Sequence, residues 1–208
     1  MGSLVNELEG WHALMSLDDL TCTVSDALGR TGALEGRYQS LWPGARLLGP
    51  AFTVRTFGGD LSAVWGGIEA APAGSVLAID SHGTPNSAFW GERTTRAALT
   101  RGLAGAVIDG ACRDVNAVRR LGFPVFCTAT VPNAGLPGGR GELNVPIALG
   151  GQPIWAGDLI VADENGVVVV PKARMTETLE RVLALLEAER QLLERGLNVQ
   201  DLRPTGDS

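Results

Sequence analysis

Residues 91–124 read GERTTRAALTRGLAGAVIDGACRDVNAVRRLGFP, and the order of patterns in them decides the fold. Residues 92–102 read as a helix that Glu92 opens. GAVID (105–109) is a short unbroken apolar run, the mark of a strand covered on both faces. A tight turn follows, then a short helix over 115–121 and the entry to another strand at Pro124. Helix–strand–turn–helix–strand is the repeating unit of an α/β sheet. Such sheets bind ligands in the crevice beyond the carboxyl ends of their strands. The polar side chains fall at those joints: Glu92 opens the first helix, and Arg113 and Asp114 follow the strand.

Upstream, residues 4–19 repeat Leu4, Leu8, Trp11, Leu14 and Met15 at helical spacing, which predicts an N-terminal helix over the first twenty residues. Thr23 and Asp26 begin a short helix, VSDALGR, closed by Gly29 and Gly32. RLLGPAFTVRTF (46–57) predicts one bent strand or a strand pair, and LSAVWGGIEAA a helix. SVLAIDSHG is a buried strand, and 83–91 is read as a loop. Downstream, PVFCTATV (124–131) is a strand, and 132–151, rich in glycine and proline, is irregular. Short strands follow around 153–155 and 159–161. Asn165-Gly166 signals a type I′ hairpin into the strand 167–170. A helix over 174–195 sets Leu179, Val182, Leu183, Leu186 and Leu193 on one side, to pack on the body or on a neighbouring subunit. Parallel units in the middle and antiparallel strands afterwards predict a layered α/β fold with a mixed sheet, within a single domain over 1–208.

A chain of 208 residues with 45% hydrophobic and 19% charged residues buries a substantial core and is not disordered. No apolar run reaches the roughly 20 residues that cross a bilayer. The first residues carry no secretory signal pattern, and MGS has Asn6 where an acylation site needs Ser or Thr. A net charge of −6 argues against nucleic acid and anionic membrane as main partners. Cys22, Cys112 and Cys127 form no CxxC pair and read as reduced thiols in a cytoplasm. Cys112 reads as a buried structural thiol, because neither His12 nor His82 is placed to be its base.

GLPGGRGE (135–142) lacks the spacing of a phosphate cradle and reads as a surface loop. No fingerprint for S-adenosylmethionine, a nicotinamide cofactor or an esterase elbow occurs, and the histidines and cysteines form no zinc set. Asp114 has two readings. It is the N-cap of the following helix, or with Arg113 it forms a pair that grips a carboxylate and holds a hard cation. Glu92 likewise either answers the helix dipole or belongs to the same site. Twenty residues separate it from Arg113.

At these residues the sequence resembles the RraA-like family, which includes aldolases acting on 4-hydroxy-4-methyl-2-oxoglutarate and 4-carboxy-4-hydroxy-2-oxoadipate. An acid, twenty spacers and Arg-Asp match Glu92 and Arg113-Asp114. WGE (90–92), GLAGAVIDGACRD (102–114), LGFPVF, NVPIALGG, AGDLIVADENGVVVVP and VSDALGR with LLGPAFTV match as ordered phrases across roughly 20–175. The resemblance implies an α/β/β/α sandwich of the swivelling β/β/α type, forming homotrimers or homohexamers. It also implies a pyruvate aldolase dependent on Mg²⁺ or Mn²⁺ that decarboxylates oxaloacetate. Arg113 then binds the pyruvyl part of a 2-oxo acid and Asp114 the metal. Glu92 orients a water, and Gly91 with the backbone of Arg93 and Thr94 meets the substrate carboxylate. Glu187, Glu189 or Glu194 would complete a neighbour's site, and the loop TVPNAGLPGGRGE departs from the commoner family form. The same family contains regulators that bind a ribonuclease, which is the alternative to the enzyme.

Overall fold

The computed structural model describes residues 2–196. The chain runs α1 (Gly2–Ala13), α2 (Leu20–Ala27), β1 (Gln39–Ser40), β2 (Leu47–Arg55), α3 (Ser62–Ala70), β3 (Val76–Trp90), α4 (Glu92–Thr100) and β4 (Gly105–Cys112). It continues through α5 (Val115–Leu121), β5 (Val125–Thr130), β6 (Glu142–Leu143), β7 (Ile147–Leu149), β8 (Gln152–Ile154), β9 (Leu159–Asp163), β10 (Gly166–Val170) and α6 (Met175–Arg195). Eight strands form one mixed sheet in the order β1-β5-β4-β3-β2-β9-β10, with β6 beside β2, and β7-β8 form a separate pair. β2, β3, β4 and β5 are parallel neighbours, while β9 and β10 add antiparallel strands beyond β2.

β2 turns this ladder into two layers, pairing with β9 through 47–50 and with β3 through 51–55. Three apolar clusters result. Val64 and Ile68 of α3, Ala98 of α4 and Val118 of α5 cover Leu77, Ile79 and Ile108. Ala78, Val107 and Phe126 face Ile160, Val167 and Val169 between the two β layers. Trp11, Val24 and Val182 of the other helices cover Leu159, Val161 and Val168. Neighbours such as Val107 and Ile108 enter different clusters because successive strand side chains point to opposite faces. The order of layers is therefore α/β/β/α, as the resemblance implied. Each fully buried Ile, Leu or Phe contributes about 1.5–3 kcal/mol to holding it.

Several local expectations are corrected. The N-terminal helix is not continuous: α1 ends at Ala13 and a single 3-10 turn follows. Leu17 is extended and Asp19 left-handed (φ 56°) before α2 begins at Leu20, earlier than Thr23. Asp is among the few residues that adopt this conformation readily. The side chain of Leu4 lies outside the described residues. Residues 83–90 are not a loop but the irregular half of β3, which keeps pairing with β4 through three register shifts. His82 and Gly83, both at positive φ, start that irregularity. β4 likewise runs on through Gly110 to Cys112, so no turn precedes Arg113. Short strands β6 and β7 interrupt 132–151.

The β9–β10 hairpin forms, but its type differs. Glu164 and Asn165 are its central residues and neither has positive φ, which a type I′ turn requires. The Asn165 N–H donates to Asp163 Oδ1 at 2.9 Å and favours the local Asx geometry instead. On α6, Val182 is buried and Leu179 and Leu186 pack partly. Leu183 and Leu193 remain 49% and 59% exposed, so the expected single apolar side is split.

Candidate active site

The parallel register pairs Trp90, the last residue of β3, with Cys112, the last of β4. Residues 91–92 and 113–114 therefore leave the sheet side by side. The Arg113 N–H donates to the Trp90 carbonyl at 2.9 Å, and the Glu92 N–H at the head of α4 donates to Asp114 Oδ2 at 3.0 Å. The Arg113 guanidinium approaches the same oxygen, with Nε 3.5 Å away.

Asp114 stands at the N-cap position of α5 with φ 56° but makes no side-chain bond to that helix. Its carboxylate turns to the N-terminus of α4 instead. The capping reading of this residue thus gives way to a bond between two elements. Only glycine fits between them: a Cβ on Gly91 would lie 2.6 Å from Asp114 Oδ2 and 3.0 Å from Arg113 Cγ. The backbone of Gly91 itself is extended, so its role is space rather than conformational freedom. Thr94 secures the turn, its Oγ1 accepting the Gly91 N–H at 2.9 Å.

A cavity of about 350 Å³ opens over this junction. Gly91, Arg93, Thr94, Arg113 and Asp114 line it on one side, and Leu61, Trp65 and residues 134–137 on the other. The second wall was not foreseen. The Leu136 N–H donates to the Gly59 carbonyl and the Leu136 carbonyl accepts from Leu61, which lays the loop along the start of α3. Buried Asp60 accepts N–H bonds from Ser62, Gly138 and Arg140, each at 2.8 Å. Those bonds, the Gly138 and Ser62 N–H groups foremost, hold its carboxyl well below the usual range. Residues 136–142 are thus exposed, as expected of a surface loop, but Gly135 is buried and 135–137 form one side of the cavity.

This fold has known counterparts. Residues 21–169 match the RraA-like family, described as Aldolase/RraA. The chain belongs to the RraA-like family. A Halalkalibacterium halodurans relative, provisionally named as a 4-hydroxy-4-methyl-2-oxoglutarate aldolase, is 38% identical over 185 residues, 88% of each chain. The 4-hydroxy-4-methyl-2-oxoglutarate aldolase of Thermus thermophilus is 32% identical over 152 residues, covering 73% of this chain and 92% of that one. Among solved structures, Streptomyces coelicolor RraAS2, described as an unusual member of the RNase ES inhibitor RraA family, superposes with a TM-score of 0.76. It is 30% identical, over 88% of this chain and 96% of that one.

The residues that tie the chain to RraA-like proteins by motif occupy different places. Arg93 is exposed, lines the cavity and makes no ion pair among the described residues. The Glu92 side chain does not line the cavity: its Oε1 accepts from Arg96 at 2.7 and 2.9 Å along α4, and Oε2 has no partner among the described residues. Glu187, Glu189 and Glu194 ride on α6, which packs in the opposite helical layer. Glu187 and Glu194 both engage Arg190, whereas Glu189 has no bond among the described residues. Cys112 is fully buried, and burial pushes its thiol up, which suits packing and not attack.

The donor set at Asp114 fits a hard divalent cation. Asp114 Oδ2 is engaged by the Glu92 N–H, and Oδ1 has no partner among the described residues. No cluster of three His, Cys, Asp or Glu side chains exists among the described residues, so a closed tetrahedral metal site does not fit. One carboxylate, with water and substrate oxygens completing the shell, is the usual environment of Mg²⁺.

Proposed function

We propose that this chain is a class II pyruvate aldolase: it cleaves a 4-hydroxy-2-oxo acid between C3 and C4 and decarboxylates oxaloacetate. The observation that carries the reading is the Gly91–Arg113–Asp114 junction inside one cavity, in a chain whose relatives are named aldolases.

Arg113, beside Asp114 at the cavity, pairs with the oxo-acid end of the substrate and opposes the negative charge that develops on its keto oxygen. The N–H groups of Arg93 and Thr94 in the first turn of α4, without an acceptor among the described residues, meet its carboxylate. Asp114 would hold Mg²⁺ or Mn²⁺, which when bound polarises the keto group as a Lewis acid. A water takes the C4 hydroxyl proton, and Glu92 orients it once its carboxylate leaves Arg96 and turns to the cavity. The C3–C4 electron pair passes into the pyruvate enolate, C4 leaves as a carbonyl, and a proton returns to C3. Loss of CO₂ from oxaloacetate yields the same enolate, so one site serves both reactions. We place the chain in homotrimers or homohexamers, with α6 at the contact between subunits.

Pyruvate release from oxaloacetate and from 4-hydroxy-4-methyl-2-oxoglutarate, followed with Mg²⁺ and then with a chelator, tests this reading. The expected result is release that the chelator abolishes; no release from either substrate overturns it. The second reading is a protein-binding inhibitor of RNA processing, favoured by the names of solved relatives such as the RNA-processing inhibitor RraA of Thermus thermophilus.

A further inference from the structure

The charged groups that line the cavity are confined to one part of it. Arg113 and Asp114 touch each other beside Gly91, and Arg93 and Thr94 stand on the adjoining first turn of α4. The opposite part is connected through different contacts. Gly135 and Leu136 lie against Gly59 and Leu61, and Trp65 follows Leu61 by one turn of α3. Ala88 and Phe89 of β3 floor the space between them. Among the described residues that far wall carries no charged side chain. Arg140, the nearest cation of the loop in sequence, does not line the cavity.

The apolar wall is also preformed. Asp60 gathers the N–H groups of Gly138 and Arg140, and Ser62 Oγ accepts that of Gly139 at 2.7 Å. Gly135 is packed so closely that a Cβ would lie 2.2 Å from the Gly59 carbonyl oxygen. Leu136 is nevertheless 77% exposed, a large apolar side chain held at the cavity mouth with nothing covering it among the described residues. A carboxylate placed against such a wall loses water and gains no cation, whereas an alkyl or aryl group gains contact and loses only water-exposed apolar area.

We propose that Leu61, Trp65, Leu136 and Pro137 form a tail subsite that selects 4-hydroxy-2-oxo acids with an apolar substituent on C4 over those with a second carboxylate there. This rests on the aldolase reading above and names the substrate class of that same site. Binding places the oxo-acid end at Arg113 and Asp114, and the C4 substituent then points along Ala88 toward Leu136.

Three measurements on the whole protein with Mg²⁺ separate the outcomes. Exchange of the pyruvate methyl protons in D₂O, followed by proton NMR, reports the oxo-acid end alone. Values of kcat/KM for 4-hydroxy-2-oxohexanoate and for 4-hydroxy-4-methyl-2-oxoglutarate report the tail. The same ratio in Leu136→Lys reports the wall. The expected result is exchange in the wild-type protein and a preference of at least about tenfold for the apolar aldol. Leu136→Lys should reduce that preference by a similar factor while lowering methyl exchange far less. Exchange with an equal or greater kcat/KM for the dicarboxylate overturns the tail subsite and leaves the aldolase reading standing. So does exchange without cleavage of the apolar aldol. Absence of exchange overturns both.

Discussion

At the scale of single residues, the account turns on Gly91, Arg113 and Asp114. The Arg113 contact strengthens only as charge builds on the substrate, so Arg113→Ala should lower kcat/KM for pyruvate release by at least about 10²-fold. Gly91→Ala is a sharper test of geometry. The extended backbone at 91 accepts alanine, but the new Cβ collides with the Asp114 carboxylate. Activity should fall by about 10²-fold, with the far-UV dichroism and melting temperature close to wild type. Equal activity in Gly91→Ala would show that the carboxylate need not sit against the head of α4. The junction was legible through the resemblance, since an acid, twenty spacers and Arg-Asp match the RraA-like pattern at Glu92, Arg113 and Asp114. The direction of the side chains was not legible. Spacing left Asp114 open as a cap of α5, and only the geometry shows it bonded to α4; the one sequence sign that Glu92 turns away was Arg96 four residues on, an i,i+4 partner on the same helix.

At the scale of elements, the loop 133–141 behaves as a fixed wall because Asp60 organises it. Periodicity could not reveal this, since the loop has none and its contacts are backbone bonds to a distant turn. The acid that closes FGGD before α3 was the one available sign. Irregular β3 escaped for a related reason: its second half pairs through register shifts, which erase the alternation that marks a strand. The loop can be probed with trypsin, because Arg140 offers a cleavage point inside it. Asp60→Ala should speed cleavage after Arg140 several-fold while the rest of the chain stays resistant. The pH dependence has a definite sign. Asp60 has a depressed folded value, so its contribution is fully present above the ordinary aspartate range, about 3.9, and is lost as pH falls through the folded value. Cleavage rates at Arg140, taken relative to an unstructured peptide substrate at each pH, should therefore be flat across neutral and mildly acidic pH in the wild-type protein.

At the scale of the molecule, three apolar clusters sort the main sheet and the helices of the described residues into four layers, and the site lies where the central strands end. The mixed order of parallel and antiparallel signals anticipated this layering well, because continuous apolar runs such as GAVID and VVVV are buried on both faces wherever they occur. What covers the outer end of α6 was not legible. Leu183 and Leu193 stay exposed there beside the acids Glu187 and Glu194. The proposed assembly through α6 predicts that Leu183→Glu combined with Leu193→Glu lowers the mass measured by light scattering; an unchanged mass would remove α6 from the contact.

The proposed function requires Asp114 and Arg113 to join a divalent cation and a 2-oxo acid in one cavity. Water-proton relaxation with Mn²⁺ reads this directly, without turnover. The wild-type protein should enhance relaxation on binding Mn²⁺, and pyruvate should change that enhancement as it displaces water. Asp114→Asn should lose the enhancement, and Arg113→Ala should keep it but lose the response to pyruvate. Mn²⁺ binding of equal strength in wild type and Asp114→Asn would contradict the account.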